Sequence, residues 1–420
     1  MTDLSASKAD PARPTAGLRG ASWTASRLPK DLRVSVQSLR TQDGAQVTGF
    51  LYYRGGEKAA VSLMHPRELV ASHYLVPDVL EAGCACWVQG SRSVGNDVRL
   101  EHEIALYDVA AGLNFLRDQG FERLCFLGNS GGAALFALYL QQASLAPARR
   151  IVRTPGGRPT KLGDTNLPVP ERLILVAPHP GPGKLLQNCI DPSVIDEKDP
   201  AALDAALFPF SAENGFREPP ESARYSEAFV ARYRSAQRER VARIDAHAKA
   251  IIEERQRSRA AVRERSTLQS RIGAAHTPIF QVWRTDADLR CFDLHLDPSD
   301  RKWGTVWGAD PFASNYGSVG FGRSCTAESW LSSWSGISSN ASFEKCGPAI
   351  EQPTLMIDYT GDNTVFPSDS EAIFQSLRTS DKHRASIRGN HHGQALQQGK
   401  PSGQVLAGRT IQNFLRGALQ

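Results

Sequence analysis

The chain has 420 residues, 41% hydrophobic and 22% charged, with a net charge of +5, a composition that fits one large globular domain with an insertion or two domains. A charge that small over this length argues against nucleic-acid binding, and no apolar run of about 18 residues is present to span a membrane. Seven cysteines, odd in number and scattered, do not make a disulfide framework, and Cys84-Ala85-Cys86 is too tightly spaced for a redox or zinc pair.

Met1 to Lys8 lacks the apolar core of a secretory signal, so a reducing cytoplasm is the expected compartment. Residues 1–30 are rich in Ser, Ala, Pro and charge and are expected to be disordered. Arg33 to Tyr53 reads as two strands around the turn Gln42-Asp43-Gly44. Ala59 to Met64 is a continuous apolar strand suited to a sheet covered on both faces. Leu69 to Glu81 is expected to be helical, Cys84 to Val88 to be a short buried strand, and Leu100 to Gln119 to be an amphipathic helix with Ile104, Leu106, Val109, Leu113 and Leu116 inward.

Next, Gly128-Asn129-Ser130-Gly131-Gly132 fits Gly-x-Ser-x-Gly. It follows the apolar run Leu124 to Leu127 and opens a helix-like stretch, Ala133 to Tyr139. A strand, a glycine-tight turn and a helix are the setting of a nucleophile elbow, which lifts a serine oxygen above a sheet and aims a helix N-terminus at developing negative charge. A polar loop, Thr154 to Pro170, leads to the strand Leu173 to Ala177. Strands alternating with helices predict a doubly wound, mostly parallel α/β sheet, with the ligand beyond the carboxyl ends of the strands.

After Pro178-His179-Pro180-Gly181 the alternation stops until about Gly347. Tyr225 to Ser266 is helical and arginine-rich, with a narrow apolar stripe of Val241, Ile244, Ala248 and Ile251. Interleaved acids such as Glu239, Asp245 and Glu253 make a solvated face the expected role for its arginines. Trp283 to Trp334 is irregular and aromatic, and Trp303, Trp307 and Trp330 are candidates for the wall of an apolar substrate pocket or for a small satellite core.

The sheet pattern resumes with Pro353 to Ile357, followed by Asp358 and Asp362, a helix over Ser368 to Leu377, a strand over Arg384 to Arg388, and Gly389-Asn390-His391-His392-Gly393. The order Ser130, then an acid, then a histidine, each on a loop after a strand, resembles the α/β-hydrolase superfamily. The resemblance covers roughly Arg33 to Ala177 and Pro353 to Leu415. It implies a hydrolase core over residues 31–180 and 348–420, and an inserted cap, largely helical and loop-rich, over residues 181–347. A serine rather than an aspartate nucleophile argues against the dehalogenase and epoxide-hydrolase branches.

For the acid, Asp362 lies past Gly361, where a loop can turn its carboxylate toward the sheet edge. Asp358 ends its strand, and Asp286 and Asp288 stand about a hundred residues before the histidines. The superfamily that the chain resembles often places its histidine two or three residues after a glycine ending the last strand, which from Gly389 implies His391 or His392; the count leans to His392 and leaves both open. Gly131 N–H is one expected oxyanion donor. The second belongs in Met64-His65-Pro66-Arg67, where Pro66 has no N–H and Arg67 is the nearest candidate, with His65 read as a loop-shaping residue. No metal-binding or nucleotide-binding motif is found, so no cofactor is expected. The expectation is a serine hydrolase acting on an ester or lactone of a small to medium apolar molecule. Amide, thioester or C–C cleavage, acyl transfer, or ligand binding without turnover are alternatives on the same fold. A small-molecule substrate is the expected partner, without nucleic acid or membrane, and a homodimer is allowed.

Overall fold

The computed structural model describes residues 22, 23 and 25–419, so the disorder expected of residues 1–21 lies outside the described residues. The described residues among 22–30 depart from that expectation. Ser22 bridges to His73, the Trp23 ring packs edge-on to Tyr52 at 5.4 Å, and Arg27 pairs with Asp78 at 2.7 Å. One aromatic and one arginine with partners outweigh the polar composition of the segment.

The main sheet is built from β1 (Arg33–Arg40), β2 (Gln46–Tyr53), β3 (Ala59–His65), β4 (Ala85–Gly90), β5 (Arg123–Asn129), β6 (Arg172–Val176), β9 (Thr354–Tyr359) and β10 (Lys382–Ile387). Their spatial order is β1-β2-β4-β3-β5-β6-β9-β10. β2 pairs antiparallel with β1 and β4, and all the other pairs are parallel.

The central strands are apolar throughout because helices cover both faces. On one face Ala60, Met64, Leu124, Phe126 and Met356 meet α2 (His102–Asp118), α3 (Gly131–Ser144) and α10 (Pro367–Ser376). On the other, Val61, Leu63, Cys125, Leu127 and Ile357 meet α1 (Val76–Glu81) and α11 (Gly403–Leu419). This is the period-2 alternation of a strand expressed as two cores. Phe126 stacks on Phe136 with ring centroids 3.8 Å apart, and Tyr139 meets Phe126 edge-on at 5.5 Å, so α3 is pinned to the strand that precedes it. Such a pair of buried aromatics contributes roughly 3–5 kcal/mol per ring against truncation.

α1 begins seven residues later than the apolar pattern predicts. Pro77 occupies its first turn, where a missing N–H is harmless, and its ring bars helix on the preceding turn. His73 and Ser72 instead receive the N-terminal segment.

Between β6 and β9 run α4 (Pro182–Cys189), α5 (Glu227–Glu264), α6 (Leu268–Ala275), α7 (Pro311–Tyr316), α8 (Ala327–Ser329), α9 (Phe343–Cys346) and a small ribbon of β7 (Phe280–Gln281) with β8 (Ser324–Cys325). That ribbon is separate from the main sheet. The apolar seam of α5 is Val241, Ile244, Ala248 and Ile252, with Ile251 only partly buried. Its arginines are more than a solvated face. Arg240 is fully buried, pairing with Glu197 at 2.6 Å and donating to the Trp283 carbonyl, and Arg234 pairs with Asp288 at 2.7 Å. No helix among the described residues is long and apolar enough to cross a membrane.

Candidate active site

β5 ends at Asn129 and α3 begins at Gly131, so Ser130 alone makes the turn. Its backbone sits at φ 51°, ψ −117°, a conformation that costs an L-residue roughly 1–3 kcal/mol and persists only where the surroundings hold it. The Val176 carbonyl does so, accepting both Ser130 N–H and Asn129 Nδ2 at 2.9 Å. The flanking glycines are there for space. A Cβ on Gly128 would stand 2.6 Å from Ala133 Cα, and one on Gly132 would stand 2.2 Å from the Met64 carbonyl oxygen.

The loops after β9 and β10 bring their side chains to this serine. Asp362 is buried; its Oδ1 accepts from Thr364 N–H at 2.7 Å and Val365 N–H at 3.1 Å, and its Oδ2 lies 2.7 Å from His391 Nδ1. His391 Nε2 lies 3.1 Å from Ser130 Oγ. His391 thus bridges Asp362 and Ser130.

His392, toward which the count from Gly389 leaned, does not reach Ser130. Its ring stands edge-on to His391 at 5.0 Å, its Nδ1 is buried without a hydrogen-bond partner among the described residues, and burial, then the neighbouring His391, pushes its pKa down to about 3. Adjacent side chains on an irregular loop diverge, and no residue count sees which way.

The other acids serve elsewhere. Asp358 pairs with Arg384 at 2.6 Å and accepts from Ser386. Asp286 accepts from Thr305 Oγ1 at 2.7 Å, and burial raises its pKa to about 6. Asp288 is claimed by Arg234 and Arg290.

Ser130 and His391 open onto a cavity of about 410 Å3, at the carboxyl ends of the strands. Its wall is mixed rather than apolar: Trp307, Phe321 and Leu396 stand beside Glu68, Lys302, Asn363 and Gln394. Of the three candidate tryptophans only Trp307 lines it. Trp330 is fully buried among Leu186, Val241 and Trp334 and donates to Asp245 at 2.7 Å. Trp303 packs on Phe292 at 5.2 Å and Phe216 at 6.0 Å, so both belong to satellite cores. Phe321, which also lines the cavity, belongs to the aromatic stretch Trp283 to Trp334 that the sequence offers as a pocket wall, whereas Lys302 and Thr305 carried no sequence signal, because irregular backbone places them. The loops that supply Glu68, Asn363 and Gln394 could have been anticipated, since each follows a parallel strand.

The loop after β3 also departs from expectation. Arg67 lines the cavity, but its backbone N–H goes to His65 Nδ1 at 3.2 Å and so is not free as an oxyanion donor. Its guanidinium is paired with Asp97 through two bonds of 2.7 Å and lies 5.0 Å from the Trp334 ring centroid. His65 is buried and borders the cavity, and burial, then the Arg67 charge, holds its pKa well below the ordinary value. Gly131 N–H, at the first position of α3, has no intrahelical partner and meets no other backbone acceptor among the described residues. Among the described residues no group of three His, Cys, Asp or Glu could hold a metal ion, and all seven cysteines are buried and unpaired.

No family model matches the chain, and no curated protein matches its sequence. Solved structures match over most of their length at low identity. The Pyrococcus furiosus esterase Pf2001 is 12% identical over 96% of this chain and 97% of that one, with a TM-score of 0.42. The alpha/beta hydrolase GrgF from Penicillium sp. sh18 is 13% identical over 92% and 99%, with a TM-score of 0.46. Est1E from Butyrivibrio proteoclasticus is 10% identical over 90% and 97%, with a TM-score of 0.41. Likeness at this distance assigns no activity. The sheet order, the one antiparallel strand within it and the strand–serine–helix turn stand on this chain's own geometry: the protein has the α/β-hydrolase fold.

Proposed function

We propose that the chain is a serine hydrolase that cleaves a carboxylic ester or lactone through an acyl-enzyme on Ser130. The observation that carries this reading is the continuous relay from Asp362 through His391 to Ser130, with contacts of 2.7 and 3.1 Å. Ser130 Oγ bonds to the carbonyl carbon while its proton passes to His391 Nε2. Asp362 orients the imidazole and stabilises its protonated form. The carbonyl π pair moves onto oxygen, and its return expels the alcohol, which takes the proton from His391. Water then repeats the sequence to release the acid.

Residues 31–180 and 348–420 form the catalytic core in this reading, and residues 181–347 are a cap that lends Lys302, Thr305 and Trp307 to the cavity wall. The substrate is small to medium, with an apolar part for Trp307, Phe321 and Leu396 and polar groups for Lys302 and Asn363. A panel of esters, lactones, thioesters and amides decides the bond type. The reading is tested with a fluorophosphonate, which should add one covalent label by intact mass, lost in Ser130→Ala. A label that persists in the mutant, or a wild-type protein that takes none, would sink it.

A further inference from the structure

An oxyanion hole needs two donors, and the loop after β3 does not provide its share from the backbone positions that follow His65. Pro66 has no N–H, and the N–H of Arg67 is committed to the His65 ring. The same hydrogen bond determines what that ring can do. A backbone N–H only donates, so Nδ1 of His65 carries the lone pair and the single proton of the neutral imidazole is on Nε2. That atom has no acceptor among the described residues, and the ring borders the cavity with Ser130 and His391.

The position of Nε2 is fixed by the elbow. A methyl group built on Gly131 would stand 2.8 Å from His65 Nε2. The ring edge therefore lies against the residue whose own N–H, at the head of α3, is the first donor. Glycine at position 131 leaves the room this approach requires. His179 repeats the arrangement from the loop after β6. Its Nδ1 accepts from Gly181 N–H at 3.2 Å, and its Nε2 lies 3.3 Å from the same methyl position. His179 is more deeply buried and does not border the cavity, so it backs the elbow rather than facing a substrate.

We propose that the Nε2–H of His65 is the second oxyanion donor, joining Gly131 N–H on the oxygen that becomes negative when Ser130 attacks. This rests on the reading of Ser130 as nucleophile. A neutral imidazole suits such a donor, because it offers a hydrogen bond without bringing a second acidic proton beside His391. Burial and the Arg67 charge both keep His65 neutral.

Four measurements on the intact chain test it. Fluorophosphonate labelling of wild type comes first, since failure there overturns the nucleophile and this proposal with it. With labelling intact, His65→Leu should lower kcat about 10²–10³-fold with KM nearly unchanged, the loss expected for one oxyanion donor. Affinity for a tetrahedral boronate should fall in parallel. His65→Gln, which returns an N–H near the Nε2 position, should recover kcat to within about tenfold of wild type. Near-normal kcat in His65→Leu, equal loss in both variants, or loss in His179→Leu instead overturns the assignment while leaving Ser130 in place. Long-range 15N–1H spectra of the wild type should show His65 neutral with its proton on Nε2 at pH 7, and a proton on Nδ1 or an imidazolium overturns it whether or not either variant folds.

Discussion

His391 and His392 differ by one position and by every contact that matters. The first holds Asp362 at 2.7 Å and Ser130 at 3.1 Å, while the second keeps a buried Nδ1, unpartnered among the described residues. His391→Ala should therefore reduce kcat by several orders of magnitude, since triad members act as a unit, and His392→Ala should cost about tenfold or less through disturbance of the loop. Asp362→Asn should cost about 10⁴-fold, because an amide reverses the tautomer of the imidazole it holds. Asp358→Asn and Asp286→Asn should leave kcat within a few-fold, since their partners are Arg384 and Thr305. Circular dichroism and a p-nitrophenyl ester assay on these purified variants would check the set. A severe loss in His392→Ala with normal turnover in His391→Ala would overturn the assignment.

At the scale of elements, the insertion divides its tryptophans between the cavity and its own core. Trp307 touches the cavity, whereas Trp330 gives its Nε1–H to Asp245, which also accepts from Ser335 at 2.9 Å and so ties α5 to the segment after α8. Trp307→Ala should shift the ratio of kcat/KM values across a series of acyl chains with little change in the denaturation midpoint. Trp330→Ala should cost roughly 3–5 kcal/mol of stability and leave that ratio as it was. If both variants moved only the midpoint, the insertion would not be the roof of the site. The same division marks what the sequence could disclose. Runs such as Ala59 to Met64 and the Gly128 to Gly132 turn announce β3 and the elbow, because local pattern and steric need coincide there. The order of Ser130, Asp362 and the two histidines discloses the loops that meet. Which histidine turns inward, and that Lys302 and Thr305 reach the cavity, depend on irregular backbone whose course is set by tertiary packing and leaves no period to read.

The whole molecule holds an unusual store of buried neutral histidines. His65, His73, His102, His179 and His392 are all desolvated, which is the leading cause in each case, with pKa values of about 4 for His73 and His102, about 3 for His179 and His392, and well below normal for His65. In the unfolded chain each titrates near 6.5, so below that pH the unfolded state binds more protons than the folded one and acid destabilises the fold. Glu103 and Asp286 act in the opposite sense. Burial raises them to about 7 and about 6, so the folded state holds their protons while the unfolded state has released them. Between pH 7 and 6 five histidines work against two acids, and at about 1.4 kcal/mol per proton per pH unit the net loss on acidification is about 2 kcal/mol. Urea midpoints measured across this interval should fall as the pH is lowered, and the fall should shrink above pH 7, where the histidines are neutral in both states. A midpoint that stayed level or rose on going from pH 7 to 6 would mean that these imidazoles are hydrated or paired in the folded protein. That result would also remove the physical basis for a neutral His65 beside Ser130.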